Sequence, residues 1–113
     1  MHEISLLENM REILEAESIK QGFSQIKQIT LEVGKLSCVE PDALRFGFDV
    51  VMKNSLAENA ELLITELDGL GVCQKCGKQS VIETLYDPCP LCGSPVVKIV
   101  QGMEMKIRDL VVI

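Results

Sequence analysis

The chain reads CQKCGKQSVIETLYDPCPLCG from residue 73 to residue 93, and this stretch contains two Cys-x2-Cys pairs separated by twelve residues. The pairs are Cys73 with Cys76 and Cys89 with Cys92, and a glycine follows each of them. This spacing lets two thiolates bind one metal ion, while the glycine allows the backbone to turn beneath them. Four thiolates make a closed tetrahedral site, which usually holds zinc and leaves no open coordination position. The stretch therefore predicts a zinc ribbon with a structural metal.

Two other interpretations of these cysteines remain open. The Cys-Pro-x-Cys-Gly sequence of the second pair also resembles a rubredoxin knuckle, although rubredoxins have a longer intervening loop and more aromatic residues than Tyr86 alone. Disulfides are the other interpretation, but the N-terminus leads directly into a charged amphipathic stretch without the features of a signal peptide. We therefore expect reduced thiols in the cytoplasm. Cys38 is far from both pairs in sequence, and we expect it to be a small buried residue.

Length and charge exclude several classes of protein. With 113 residues, the chain can form one domain, or one small domain with a metal-stabilised module. Its 17 acidic residues exceed its 11 basic residues, for a net charge of −6, which argues against a nucleic-acid partner. Its apolar runs are far shorter than the roughly 20 residues of a membrane-spanning helix. We expect a cytoplasmic protein that binds neither nucleic acids nor membranes.

Hydrophobic periodicity predicts the elements on either side of the ribbon. Helical spacing predicts helices over residues 4–21 and 41–53, the second with Pro41 at its first position. Alternating apolar residues predict strands over residues 25–36 and 60–67. Gly47 lies inside the second predicted helix, where we expect it to permit close packing on the sheet.

The segments that enter and leave the ribbon contain glycines, which predict hinges. The first hinge is Asp68-Gly69-Leu70-Gly71 and the second is Gln101-Gly102, with short strands predicted between them over residues 81–85 and 96–100. The last segment, residues 103–112, alternates as a strand does and needs a partner in the N-terminal sheet. The sequence thus predicts an α+β fold with a small mixed sheet and two helices, carrying an inserted four-cysteine zinc-ribbon module. The predicted domains are residues 1–68 plus 103–113 and residues 69–102.

A second metal site is predicted at the N-terminus, where the chain has its single histidine. The Met1 amine and the amide and imidazole nitrogens of His2 can close fused chelate rings on one ion, and the Glu3 amide can supply a fourth nitrogen. A planar nitrogen set of this kind suits Ni(II) or Cu(II) better than zinc. The sequence offers no base to activate a nucleophile and no phosphate-binding loop, so we do not expect an enzyme.

Several segments together resemble the HypA/HybF family of nickel metallochaperones, which act in [NiFe]-hydrogenase maturation. The segments are MHEISL at residues 1–6, LEVGKLSCVEP at residues 31–41, the two cysteine pairs, and GMEMKI at residues 102–107. The resemblance implies that His2, with the Met1 amine and the Glu3 backbone, binds Ni(II), and that the four cysteines hold structural zinc. It also implies that the protein delivers nickel to the large subunit of [NiFe]-hydrogenase together with a partner GTPase. Some members of the family also act in urease maturation.

Two alternatives to a nickel chaperone follow from the residues. A zinc-ribbon adaptor would hold one tightly bound zinc and would not depend on His2. A rubredoxin-like electron carrier would hold redox-active iron and absorb visible light. The two predicted hinges are compatible with either a monomer or a swapped dimer.

Overall fold

The computed structural model describes residues 2–113, with the exception of the side chain of His2. Within this range the elements are α1 (His2–Gln21), β1 (Ile26–Gly34), α2 (Pro41–Val51), β2 (Glu61–Leu67), β3 (Gly69–Cys73), β4 (Gln79–Ile82), β5 (Val97–Gln101) and β6 (Met105–Val112). The strands form two three-stranded sheets with the orders β2-β1-β6 and β4-β3-β5. The predicted α+β fold with two helices and small sheets is confirmed, including the return of β6 to the N-terminal sheet.

Two compact units divide the chain. The first, here called the helical unit, comprises the described residues up to Leu31 together with Val39–Ile64 and Ile107–Ile113. The second, here called the ribbon unit, comprises Glu32–Cys38 and Thr65–Lys106. The domain boundaries expected from the sequence, 1–68 plus 103–113 and 69–102, stay a prediction.

The helical unit has a core formed by both helices and the central strand. From α1 the buried side chains are Leu7, Met10 and Leu14, whose spacing of three and four residues places them on one helical face. Full burial of such a side chain stabilises the fold by about 1.5–3 kcal/mol relative to exposure. Ile13, the neighbour of Leu14 in the chain, is 46% exposed and lies at the edge of this buried face. The other large core residues of this unit are Ile26, Ile29, Leu31, Leu44, Phe48, Met52 and Leu62.

Gly47 brings the two helices together, and the expectation that it packs on the sheet is wrong. A Cβ atom at this position would lie 2.8 Å from Leu7 Cδ1 and 2.9 Å from Ile4 Cδ1, so the missing side chain makes room for α1. Further along, the Arg11 guanidinium donates a 2.8 Å hydrogen bond to the Val51 carbonyl at the end of α2. The first turns of α1 therefore run beside α2 in the same direction.

The first predicted hinge is also wrong, because Gly69 and Gly71 belong to β3. This strand pairs antiparallel with β4 on one side, where Gly69 is opposite Ile82, and with β5 on the other, where Gly71 is opposite Ile99. A Cβ atom on Gly69 would lie 2.5 Å from the Ile82 carbonyl oxygen. Because they lack a side chain, these glycines allow the neighbouring strands to approach closely.

Three segments of the ribbon unit meet at Gly34, Gly69 and Gly102, a place here called the glycine crossing. A Cβ atom on Gly34 would lie 2.0 Å from the Gly102 carbonyl oxygen, and one on Gly102 would lie 2.7 Å from the Gly69 Cα. The backbone N–H of Leu36 donates a 2.8 Å hydrogen bond to the Gly102 carbonyl. Gly102 has a φ of +105°, which glycine tolerates far better than other residues. The predicted exit hinge is thus part of a close-packed junction.

A turn shortens the first of the strands predicted inside the ribbon. That strand was expected to reach Leu85, but β4 ends at Ile82. The Thr84 hydroxyl and backbone N–H both donate hydrogen bonds to the Asp87 carboxylate, which closes the turn. The hydrogen bond from the Thr84 hydroxyl is also the main reason why the pKa of Asp87 lies below its usual value. Tyr86, inside this turn, has a φ of 71° and is 96% exposed.

Candidate metal centre

The same pattern of backbone hydrogen bonds holds each of the two cysteine pairs. In the first, the Gly77 N–H donates to the Cys73 carbonyl at 2.9 Å, and in the second the Gly93 N–H donates to the Cys89 carbonyl at 2.8 Å. Both glycines are left-handed, with φ of 75° and 77°, as the sequence predicted. A second hydrogen bond closes each knuckle, because Cys73 N–H donates to the carbonyl of residue 78 and Cys89 N–H donates to that of residue 94.

These knuckles bring four sulfur atoms into one cluster. The ligand atoms of Cys73, Cys76, Cys89 and Cys92 all lie within 4.8 Å of one another. Cys73 Sγ is 3.5 Å from Cys92 Sγ, and Cys76 Sγ is 3.9 Å from Cys89 Sγ. Both distances are too long for a disulfide bond of about 2.05 Å. All four cysteines are free thiols, two of them buried and two exposed.

The cluster fits a tetrahedral metal ion. With metal–sulfur bonds of about 2.3 Å, the sulfurs of a tetrahedral zinc site would lie about 3.8 Å apart, which is close to both measured distances. Four soft thiolate donors also match the ligand preference of zinc. A zinc ion in this site would have no open coordination position, so it would stabilise the ribbon without binding substrate.

Backbone amides prepare Cys73 to act as a thiolate. The N–H groups of Cys76 and Lys75 point at its sulfur, at 3.3 Å and 3.4 Å. The hydrogen bond from Cys76, and after it the one from Lys75, lowers the pKa of the Cys73 thiol to about 6, against burial, which raises it. In the second knuckle, the backbone N–H of Cys92, and after it that of Leu91, lowers the pKa of Cys89. The glycine after each pair was the sequence signal for these amide contacts.

The pKa of Cys92 is shifted in the opposite direction to those of Cys73 and Cys89. The Ser94 backbone N–H, the largest single influence, lowers the pKa of the Cys92 thiol, but the neighbouring sulfurs and burial outweigh it. Their combined effect raises the pKa of Cys92 to about 11, because its proton is shared with Cys73 and the other two sulfurs. The cluster without metal therefore combines a thiolate and a thiol in hydrogen-bond contact.

The fifth cysteine lies outside the cluster. Cys38 is exposed, so the expectation of a buried residue is wrong. Its φ of 61° places it in the left-handed region, in the loop between β1 and α2. The alternation of buried and exposed residues along β1 does not predict the exposure of Cys38, because this strand ends four residues earlier, at Gly34.

Of the predicted nickel ligands, the backbone of His2 and the residue Glu3 lie in the first turn of α1. Met1 and the side chain of His2 lie outside the described residues. The Glu3 carboxylate accepts a 3.3 Å hydrogen bond from the backbone N–H of Glu40, the residue that precedes α2. Glu40 was not singled out in the sequence, because no local pattern connects residues 37 positions apart.

Comparisons with known proteins agree with this arrangement. A family model described as "Hydrogenase/urease nickel incorporation, metallochaperone, hypA" matches residues 1–112. The hydrogenase maturation factor HypA of Cereibacter sphaeroides strain KD131 is 47% identical over 110 residues, which cover 97% of each chain. The solution structure of the Ni metallochaperone HypA from Helicobacter pylori covers 96% of this chain and 94% of its own, with 24% identity and a TM-score of 0.72. A second HypA solution structure covers 100% of this chain and 97% of its own, with 25% identity and a TM-score of 0.75.

The fold and the four-cysteine cluster define a small metal-binding protein with an inserted ribbon. The chain belongs to the HypA family of hydrogenase-maturation nickel metallochaperones. The family expected from the sequence is thereby confirmed. Neither helix of the described residues has the length and apolar character needed to cross a membrane.

Proposed function

We propose that this protein binds Ni(II) at its N-terminus and delivers it during the maturation of [NiFe]-hydrogenase, while its cysteine cluster holds a structural zinc ion. The match of the family model to residues 1–112 carries this proposal, since that family is described by nickel incorporation. The cluster of four thiols supports a second, separate metal, because its donor set and distances suit zinc. The cargo and the resident metal would thus occupy different sites.

The proposed nickel site uses nitrogen donors of the first three residues. The His2 imidazole is the principal ligand, and the Met1 amine and the backbone nitrogen of Glu3 are the secondary ones. The hydrogen bond between the Glu3 carboxylate and the Glu40 N–H supports this arrangement, because it anchors the residue that follows His2. All the nitrogen donors must lose protons to bind, so nickel affinity falls as the pH falls. A shallow terminal site suits a cargo that must be released.

The proposed zinc site serves the fold. Cys73, Cys76, Cys89 and Cys92 would saturate the ion, so no cargo could be exchanged through an open position. Because the ribbon buries few hydrophobic side chains, zinc binding would supply much of its stability and would couple metal uptake to ribbon folding. We propose no catalytic activity for either site.

The partners come from the family. We propose that the chain works in the cytoplasm with a nickel GTPase and donates to the large subunit of [NiFe]-hydrogenase, with urease as a further acceptor. The net charge of −6 disfavours nucleic-acid partners and anionic membranes. We propose a monomer or a dimer, and the domains given above, 1–68 plus 103–113 and 69–102.

The test is a calorimetric titration of nickel into the zinc-loaded chain that begins at Met1, beside His2→Ala. We expect one nickel per chain in the parent and none in the variant, with zinc retained in both. A chain extended by one residue before Met1 is the matched control for the amine, since it keeps His2 but moves the terminal nitrogen. Nickel binding that survives in His2→Ala, or that only displaces zinc, would contradict the proposal. A chain that binds no nickel would instead be the zinc-ribbon adaptor.

A further inference from the structure

The sulfur atoms of the four-cysteine cluster make two contacts that cross between the knuckles. Cys73 Sγ lies 3.5 Å from Cys92 Sγ, and Cys76 Sγ lies 3.9 Å from Cys89 Sγ. Because a disulfide bond is about 2.05 Å long, each sulfur would have to move by less than about 1 Å to form one across either contact. Rotation of the side chains can supply a movement of this size.

Each crossing contact joins one exposed cysteine to one buried cysteine. Cys76 and Cys92 are exposed, whereas Cys73 and Cys89 are buried. An oxidant in the solvent can therefore reach one cysteine of each pair, and the sulfur of the other lies directly beside it. Redox-sensing cysteines have this arrangement, in which an accessible sulfur is oxidised and a neighbouring one resolves it to a disulfide.

We propose that the cluster is also a redox switch, in which hydrogen peroxide converts the four thiolates to two crossing disulfides, Cys73–Cys92 and Cys76–Cys89, and thereby expels zinc. In each pair, the peroxide transfers one oxygen to the exposed sulfur, which becomes a sulfenic acid, and its other oxygen leaves as water. The buried thiolate then attacks this sulfur, so that the S–S bond forms and the sulfenic oxygen leaves as a second water. Each pair thus gives two electrons to one peroxide, and the solvent supplies one proton for each water.

The oxidised cluster would lose zinc but keep the two knuckles together. Zinc is bound by thiolates, and a sulfur in a disulfide no longer carries the charge that makes it a ligand. The described chain has no helix or strand between Ile82 and Val97, so the position of the second knuckle relative to the first depends largely on the sulfurs. Crosslinks at these sulfurs also restrict the unfolded chain. We therefore expect the oxidised ribbon to stay closed without metal.

The fifth cysteine cannot take part in this switch. Cys38 is exposed, but it does not belong to the cluster, and its sulfur lies 4.0 Å from the Leu36 carbonyl oxygen. None of the four clustered thiols is therefore placed to resolve an oxidised Cys38. In a reducing cytoplasm, disulfides are usually transient and redox-sensing, which fits a reversible switch. The inference rests on the proposed zinc site and does not depend on whether nickel binds at His2.

The test treats the full zinc-loaded chain with hydrogen peroxide, in the parent and in Cys38→Ser. Because each peroxide makes one disulfide, we expect zinc release in Cys38→Ser to be complete at about two equivalents of peroxide per chain. A chromogenic chelator measures the released zinc, and alkylation followed by mass spectrometry should find no free thiol left in this variant. A thiol reductant together with zinc should restore the starting form. The parent should form the same disulfides.

Peptide mapping identifies the bonds, since trypsin cleaves after Lys75 and Lys78 and so separates Cys73 from Cys76 and both from the second knuckle. Crossing disulfides would hold these three peptides together, and fragmentation of the linked peptides assigns each bond. Cys76→Ser should still form Cys73–Cys92, and Cys92→Ser should still form Cys76–Cys89.

Three results would overturn this inference and leave the zinc site standing. They are disulfides within the knuckles, sulfinic acids in place of disulfides, and zinc that stays bound in excess peroxide. A chain that binds no zinc before oxidation would overturn the proposed zinc site and this inference together.

Discussion

The sulfur of Cys73 lies 3.5 Å from the sulfur of Cys92, although the two residues are 19 positions apart. Cys76 and Cys89 form the other contact between the pairs, at 3.9 Å. Each knuckle thus contributes one sulfur to each of these contacts. A metal at their centre would join two stretches of chain that the loop after β4 otherwise leaves separate.

Substitution of Cys73 is expected to unfold the ribbon before the rest of the chain. Cys73→Ser removes one ligand, and structural zinc contributes about 10–16 kcal/mol to the folding of comparable small modules. We expect a loss of bound zinc and rapid hydrogen exchange in β3, β4 and β5, while the amides of α1 and α2 stay protected. Elemental analysis and hydrogen-exchange mass spectrometry measure the two effects. Cys38→Ser is the control and should retain its zinc, since Cys38 is exposed and outside the cluster. Full zinc retention in Cys73→Ser would refute the assignment.

Zinc binding should release fewer protons than four ordinary thiols would. The Cys76 N–H, and after it the Lys75 N–H, lowers the pKa of Cys73 to about 6, so at pH 7.5 this residue is already a thiolate. Cys92, whose pKa is raised to about 11, must still lose its proton. We expect no more than about three protons released per zinc at pH 7.5, rising as the pH falls below about 6 and Cys73 becomes protonated. Calorimetry in buffers of different ionisation enthalpy measures this number. A constant release of four protons across this range would contradict the pKa of Cys73.

The same lowered pKa predicts how the stability of the metal-free ribbon depends on pH. Because the thiol of an unfolded chain titrates near 9.0 and that of folded Cys73 near 6, Cys73 stabilises the fold above pH 9. This contribution decreases as the pH falls from 9 to 6 and is absent below 6. Cys92 acts in the opposite sense, because its pKa is raised in the folded state. Its contribution to stability is fully present below pH 9 and is lost as the pH rises toward 11. Hydrogen exchange of β3 amides in the zinc-free chain, followed across this range, measures both trends.

The glycine crossing predicts a large cost for adding one methyl group. Gly34→Ala would place a Cβ atom 2.0 Å from the Gly102 carbonyl oxygen, and backbone cannot move aside as a side chain can. We expect a loss of about 3 kcal/mol or more in the free energy of unfolding. The control is Gly22→Ala, where φ is +78° but nothing lies within 4 Å, so we expect only about 1–2 kcal/mol of backbone strain. Denaturant unfolding of the zinc-loaded proteins compares the two, and equal losses would contradict the close packing at Gly34.

Gly47 predicts a different response to the same change. An alanine Cβ would meet only the tips of the Leu7 and Ile4 side chains, at 2.8 Å and 2.9 Å, and these can rotate. Alanine also gains about 1 kcal/mol over glycine within a helix, so Gly47→Ala should change stability by less than about 1 kcal/mol. A larger side chain cannot be accommodated in this way, and we expect Gly47→Leu to cost about 2 kcal/mol or more by separating α1 from α2. Thermal and denaturant unfolding measure both variants, and a Gly47→Leu protein as stable as the parent would show that the helices can separate freely.

The sequence predicted those features that local pattern controls. The helices and the strands β1, β2 and β6 follow from periodicity, and the position of Pro41 at the start of α2 follows from the fixed φ of proline. The four-cysteine cluster follows from spacing, because a Cys-x2-Cys pair with its glycine can turn in few other ways. The nickel ligands at Met1 and His2 stay a prediction.

The predictions that were wrong concern residues whose environment depends on contacts with distant parts of the chain. Gly69 was predicted to be a hinge because glycine is flexible in isolation. In the fold it pairs with Ile82 of the neighbouring strand, and the local sequence does not indicate this pairing. Cys38 looked buried because cysteine usually is, whereas the loop turns it outward after β1 has ended. Gly47 was correctly placed in the second helix, but it packs against α1 and not against the sheet. The sequence around Gly47 does not show where α1 runs, so this neighbour could not be predicted.

The sheet order β2-β1-β6 has a consequence for how the chain is made. The ribosome completes β1 and β2 before the ribbon and delivers β6 only after it. Until then one edge of β1 has no strand beside it, and an open edge can pair with other nascent chains. Capture of a metal by the ribbon shortens the loop between Leu67 and Met105 and so lowers the entropy that β6 must lose to reach its place. We therefore expect the yield of correctly assembled protein to depend on the supply of metal during translation as well as afterwards.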